Sequence, residues 1–223
     1  MIKAVIFDWD GTLADTKRAV VQAFQVTLVK VGCLVSDRFI ERLMGVGTKK
    51  TFEEALRKCN IEFDDKQLEN LVNNKIESQV ELFEKVSLFE GAAELLEELH
   101  GRTKIALATM SGRKVIENLL LVKRIESFFD VVITADDVSN PKPDPEVFVV
   151  SAAKLGVNPQ DCVVIEDSLF GVRAAKEAKT KCIAVTSGAY SKDELQNENP
   201  DFIVAALTEK KKIIHFIFSN SSK

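Results

Sequence analysis

Four short stretches of this chain carry residues whose types and spacing could do chemistry together. Asp8 and Asp10 stand one residue apart where the apolar run Val5-Ile6-Phe7 ends. Thr109 closes a second apolar run and leads through Met110-Ser111-Gly112 into a helical pattern. Lys142 sits between prolines in Asn140-Pro141-Lys142-Pro143-Asp144-Pro145, and Glu166-Asp167-Ser168 ends a further run. In extended chain, residues i and i+2 point the same way, so Asp8 and Asp10 face one space while Trp9 turns into packing. Carboxylates at the mouth of a buried strand are costly unless a basic side chain, a metal ion or solvent offsets them. With Asp167 they make a set of hard oxygen ligands of the kind that suits Mg²⁺. One oxygen of Asp8 would then be free to attack phosphorus, and Asp10 could protonate a leaving alcohol and later deprotonate water. Lys142, the Thr109 hydroxyl and nearby N–H groups would hold the negative oxygens.

Each piece has an ordinary alternative. Asp10-Gly11 is a turn signal, Lys142 could be a solvated loop lysine, and Glu166-Asp167 could be the acidic start of a helix. What outweighs these is the elements that position them. Continuous apolar runs at Lys3–Asp8, Lys104–Thr109, Asp130–Thr134, Cys162–Glu166, Cys182–Thr186 and Phe202–Val204 predict buried parallel strands. Helical patterns at Gly91–His100, Arg113–Leu121, Pro145–Leu155 and Leu169–Ala178 alternate with them. The expected fold is α/β, a Rossmann-like parallel sheet covered by helices, and such a sheet delivers every strand end to one edge. Asp144-Pro145 reads as an N-cap followed by Pro in the first turn, Ser168 as a second N-cap, and Gly112 as an opening for a phosphate.

Between the first strand and its partners the rhythm breaks. Helical patterns at Lys17–Val31, Asp37–Met44, Thr51–Lys58 and Lys66–Glu84 follow one another without a strand, with Leu68, Leu71, Val72 and Ile76 at helical spacing. Residues 16–86 are therefore expected to form an inserted α-helical cap domain, with the catalytic core built from 1–15 and 87–223. Asp15 and Val86–Glu90 would be hinges.

A formal charge of −4 argues against a nucleic-acid binder. The insert is neutral, with twelve basic and twelve acidic side chains in residues 15–86. Cys33, Cys59, Cys162 and Cys182 are scattered without C-x-x-C spacing, which predicts reduced thiols in a cytoplasmic protein. Met1-Ile2-Lys3 leads straight into a strand, so no signal peptide is expected. The apolar tail Ile213–Phe218 is far short of the roughly 20 residues of a membrane span and is expected to be the last core helix or a docked tail. His100 and His215 are expected at surface or packing positions.

The stretches DWDGTLADT, ALATMSGR, NPKPDPEVF and VIEDSLFGVRAAKEA, in this order, resemble the four motifs of the haloacid dehalogenase superfamily. The chain is most similar to the helical-cap subfamily that includes phosphoglycolate phosphatase and β-phosphoglucomutase. The resemblance implies Mg²⁺-dependent hydrolysis of a small phosphorylated metabolite through an aspartyl-phosphate, with a sugar-phosphate mutase as the alternative. A non-catalytic phospho-acceptor is a remote third. It implies Asp8 as nucleophile, Asp10 as acid/base, and Thr109, Met110, Ser111 and Lys142 at the phosphoryl group. Metal would sit on Asp8, the Asp10 carbonyl and Asp167, with Glu166 a direct or outer ligand. In the insert, Arg42, Gly45 and Lys49 (with Lys50) fall in a segment similar to the family's specificity loop. The family often has Asn after Thr109 where this chain has Met110. Mutase members carry a His shortly after the Asp-Thr pair, and here Asp15-Thr16 is followed by Lys17-Arg18-Ala19-Val20. Neither membrane nor nucleic acid is an expected partner; the expected state is a monomer or small homo-oligomer.

Overall fold

The computed structural model of the protein describes residues 1–83 and 86–219. Six parallel strands form one sheet: β1 (Ala4–Phe7), β2 (Lys104–Ala108), β3 (Val131–Ile133), β4 (Cys162–Glu166), β5 (Lys181–Val185) and β6 (Phe202–Val204), in the order β3-β2-β1-β4-β5-β6. The central strand β1 lies between β2 and β4, and Phe7 is level with Leu107 on one side and Ile165 on the other. That register brings Asp8, Ala108 and Glu166 to the same height at the C-terminal edge. Several predicted strands end a residue early because the chain turns away as soon as its last N–H is paired. Asp8 N donates to Ile165 O at 3.0 Å and Thr109 N to Ile133 O at 3.0 Å.

Period-2 alternation divides the sheet's apolar residues between two cores. Phe7, Leu107, Ile165 and Ile183 face one side, against α5 (Ala92–Leu99), α6 (Arg113–Lys123) and α10 (Lys210–Ser219). Ile6, Ala108, Val164 and Ala184 face the other, against α7 (Glu146–Leu155) and α8 (Leu169–Glu177). Small alanines on that second face let the helices approach closely. The apolar tail is α10, whose Ile213 and Ile217 are buried in the first core. The Ser191-x-x-Glu194 capping box starts a short helix that the apolar pattern does not predict, α9 (Lys192–Asn197). Pro145, not Asp144, takes the cap position of α7, while Asp144 Oδ1 accepts from Glu146 N at 2.9 Å.

Four helices stand between β1 and α5: α1 (Lys17–Val29), α2 (Asp37–Glu41), α3 (Thr48–Lys58) and α4 (Asp65–Phe83). α1 packs along α4, and Phe24 meets the Phe52 ring edge-on at 4.9 Å. α2 stops at Glu41, short of Met44, because Gly45 and Gly47 take φ of 100° and 91° in the turn that follows. Glu84, the expected last residue of α4, and Lys85 lie outside the described residues. The two connections to the core run beside each other: Asp15 N donates to Ser87 O and Phe89 N to Leu13 O, each at 2.9 Å. Among the described residues no helix is long and apolar enough to cross a membrane.

The cysteines depart from expectation. Cys33 and Cys59 form a disulfide, with Cα atoms 5.5 Å apart, rather than two thiols. They are 26 residues apart in sequence, and the packing of α1 and α3 against α4 brings their loops together. Cys162 and Cys182 are buried free thiols in β4 and β5.

Candidate active site

The strand-end residues converge on the floor of a cleft at the point where strand order reverses between β1 and β4. Asp8, Asp10, Met110, Ser111, Asp167 and Ser168 line it from the sheet side. Trp9, between the two aspartates, is fully buried in the core below. Lys142 is buried and spends its three protons on Asp8 Oδ1 (2.6 Å), Glu166 Oε1 (2.7 Å) and Ala108 O (3.3 Å). The lysine is a strut as much as a charge, tying β1, β2 and β4 together. The other oxygen of Asp8 takes no hydrogen bond among the described residues.

Glu166 is spent on the scaffold. Its second oxygen accepts from Asp167 N (2.9 Å), Ser168 N (2.8 Å) and Ser168 Oγ (3.0 Å), which fixes the turn into α8. Ser168 caps that helix by accepting from Gly171 N. Asp167 accepts from Thr12 Oγ1 at 2.9 Å, and glycine backbone closes around it. A Cβ on Gly11 would lie 2.4 Å, and on Gly188 1.7 Å, from Asp167 Oδ2. Asp10 accepts from Ser111 Oγ at 2.7 Å, while its buried Oδ1 has no partner among the described residues. Thr109 is buried; its Oγ accepts from Ser111 N at 3.1 Å and lies 3.5 Å from Asp10 Oδ2.

The electrostatics are those of acid in excess. Burial pushes Asp8 well above the usual carboxylate range, opposed by Lys142 and reinforced by Glu166 and Asp10. Burial, then Glu166 and Asp8, raises Asp167. Burial alone would lower Lys142, but Asp8 and Glu166 outweigh it and hold the ammonium above its ordinary value. Oxygens of Asp8, Glu166 and Asp167 lie within 4.8 Å of one another. Three buried carboxylates share one ammonium, so the donor set fits a hard divalent cation.

A sequence profile of haloacid dehalogenase-like hydrolases matches residues 5–185, more than half of the chain. The chain belongs to this family. A phosphorylated carbohydrates phosphatase of Thermotoga maritima is 34% identical over 179 residues, covering 79% of this chain and 82% of that protein. The crystal structure of a β-phosphoglucomutase from Clostridium difficile has a TM-score of 0.88 at 27% identity and covers 99% of both chains. CbbY from Rhodobacter sphaeroides, solved in complex with phosphate, has a TM-score of 0.82 at 29% identity over 94% of this chain and 96% of that one.

On the helical side, the residues expected from the family resemblance separate. Gly45 lines the cleft, where a Cβ would meet Ser168 Oγ at 2.8 Å. Lys49 does not line it: it pairs with Asp65 at 3.1 Å with both side chains exposed. Lys50 pairs with Glu53 and Glu54 on its own helix. Arg42 also turns away from the cleft, onto Tyr190 and Glu194. Gly112 starts α6, but the first free N–H, that of Arg113, is taken by Asp136 at 2.6 Å.

The cation that the insert does send into the cleft is Lys75. It is buried on α4, 3.3 Å from Thr48 Oγ1 and 4.9 Å from the Phe24 ring, with no carboxylate partner among the described residues. Burial lowers its pKa to about 8, with Asp10 pulling the other way. A signal for it was present: Leu68, Leu71, Lys75 and Gln79 share one helical face, and a lysine on an apolar stripe is unusual.

Proposed function

We propose that the protein is a Mg²⁺-dependent phosphatase of a small phosphorylated metabolite, acting through an aspartyl-phosphate, with residues 16–86 serving as its cap domain. The observation that carries this reading is Asp8 itself. Lys142 holds one of its oxygens at 2.6 Å and leaves the other unbonded, beside Asp10 on the cleft floor. The relatives' names support it: a phosphatase of phosphorylated carbohydrates and a CbbY structure that holds phosphate. Magnesium, held by Asp8 and Asp167 with the Asp10 carbonyl, would neutralise the excess carboxylate and let the dianionic substrate approach.

The free oxygen of Asp8 attacks phosphorus, and the P–O bond to the alcohol breaks as Asp10 gives that oxygen a proton. Asp10, now a base, takes a proton from water. The water oxygen attacks phosphorus, inorganic phosphate leaves, and the Asp8 carboxylate is restored. Ser111 holds Asp10 in place, Lys142 holds Asp8, and Lys75 meets an anionic or oxygen-rich part of the substrate from above. The β-phosphoglucomutase likeness makes phosphate return to a sugar the alternative outcome. Against it, the wall from α1 is Val20 and Phe24, and no histidine lines the cleft among the described residues. The test is phosphate release from a panel of glycolate, pentose, hexose and nucleotide esters, with Mg²⁺ and with chelator. Magnesium-dependent release that Asp8→Asn abolishes supports the reading; sugar phosphate isomerised without release supports the mutase.

A further inference from the structure

Arg42 has three ties to the core, and all run to one short segment. Its guanidinium lies 4.1 Å from the centroid of the Tyr190 ring, its Nη2 is 2.8 Å from Glu194 Oε1, and its carbonyl accepts from the Tyr190 hydroxyl at 2.6 Å. Tyr190 is only 4% exposed and is seated edge-on to Phe170 in the core's second apolar cluster. The segment between β5 and α9 that carries it also touches the site. Ser187 Oγ donates to Gly11 O at 2.6 Å, and the Gly188 backbone lies against Asp167. We infer that Tyr190 and Glu194 clasp Arg42 to hold the helical cap down over the cleft, so that all three are positioning residues acting through cap closure. Arg42 is thus a latch and not a substrate ligand, which is a different use from the one its sequence neighbourhood suggests.

The chemistry of the contacts supports a latch. A guanidinium stacked on an aromatic face and paired with a carboxylate is held by two attractions at once. The pairing with Arg42 and the Ser191 N–H and hydroxyl hold Glu194 down at about 2, so its charge is present throughout the working range of pH. The hydroxyl-to-carbonyl bond is buried on the Tyr190 side, where an unmade hydrogen bond is costly. On the other side of the turn, Gly45 packs against Ser168 so closely that only a glycine fits. Opening the cap requires all of these contacts to part together.

The kinetic arm of the test rests on the phosphatase reading. Tyr190→Phe deletes one hydroxyl and Glu194→Gln one charge, neither in the cleft. Each is expected to raise KM about fivefold to tenfold with kcat changed less than about twofold, since the lost bond counts against closing, which bound substrate restores. The pair Arg42→Glu with Glu194→Arg is expected to recover part of the KM lost by either single change. A KM unchanged or lowered in Glu194→Gln, together with a KM raised in Arg42→Ala, would make Arg42 a substrate ligand and overturn the clasp. Amide hydrogen exchange needs no activity. Exchange at residues 43–47 is expected to rise in Tyr190→Phe with the exchange of β1 and β4 unchanged, and no rise there overturns the clasp. A wild type that releases no phosphate from any ester while exchange behaves as expected would sink the phosphatase reading and leave the clasp standing.

Discussion

Lys75 and Lys142 show how burial sorts two lysines of one cleft. Lys142 has two carboxylates within 2.7 Å and stays protonated, whereas Lys75 has a hydroxyl and an aromatic ring, and its pKa falls to about 8. For Lys75 the unfolded chain binds more protons between pH 8 and its ordinary 10.5, so stability is expected to rise through that window. Below it the buried ammonium costs about 3 kcal/mol, from a depression of some two and a half pH units. Lys75→Met is therefore expected to raise unfolding free energy at neutral pH by about 1–3 kcal/mol in urea titration. The wild-type KM is expected to rise above about pH 8, and the same variant is expected to raise KM about tenfold or more and to abolish that rise. A wild-type KM flat through that range would remove Lys75 from substrate binding. At this scale much of the site was legible. Asp8, Asp10, Lys142 and Asp167 sit together because their strand ends do. Lys49 and Arg42 were legible only as charges near a loop, and which way a long side chain turns is decided by partners such as Asp65 and Glu194 that lie far off in sequence.

Between residue and molecule, the site depends on turns whose backbones sit closer than any side chain allows. Gly188 is the clearest case, because a methyl group there would occupy the space of Asp167 Oδ2. Gly188→Ala is expected to displace Asp167 and cut kcat at least about a hundredfold while the sheet persists, as far-ultraviolet circular dichroism would register. Near-normal turnover would mean that Asp167 does not need that position. The Cys33–Cys59 disulfide ties the loop after α1 to the end of α3, among the helices between β1 and α5. Thiol titration of the unfolded, unreduced protein is expected to find only Cys162 and Cys182, with all four appearing after reduction. Finding four without reductant would return the pair to thiols. Sequence spacing could not anticipate this bond, since helix packing creates it. The capping box of α9 is legible at Ser191 and Glu194, but the helix is too short to show apolar periodicity.

For the molecule as a whole, alternation of apolar runs and helical patterns was enough to foretell a parallel sheet with a helical insertion, and the structure has both. Strand order was not legible, because pairing depends on crossovers that leave no local trace. It is nonetheless what makes the site: β1 between β2 and β4 brings Asp8 level with Ala108 and Glu166, within reach of Lys142. The insert then places Lys75 opposite those carboxylates. The central claim is that Asp8 becomes the phosphoryl carrier. The most direct measurement is acid quench of the enzyme during turnover of its best ester, followed by peptide mapping by mass spectrometry. The account predicts one phosphoryl group on the peptide holding Asp8, absent in Asp8→Asn and lost on treatment with hydroxylamine. Turnover with the phosphoryl group on another residue, or with none at any quench time, would contradict it.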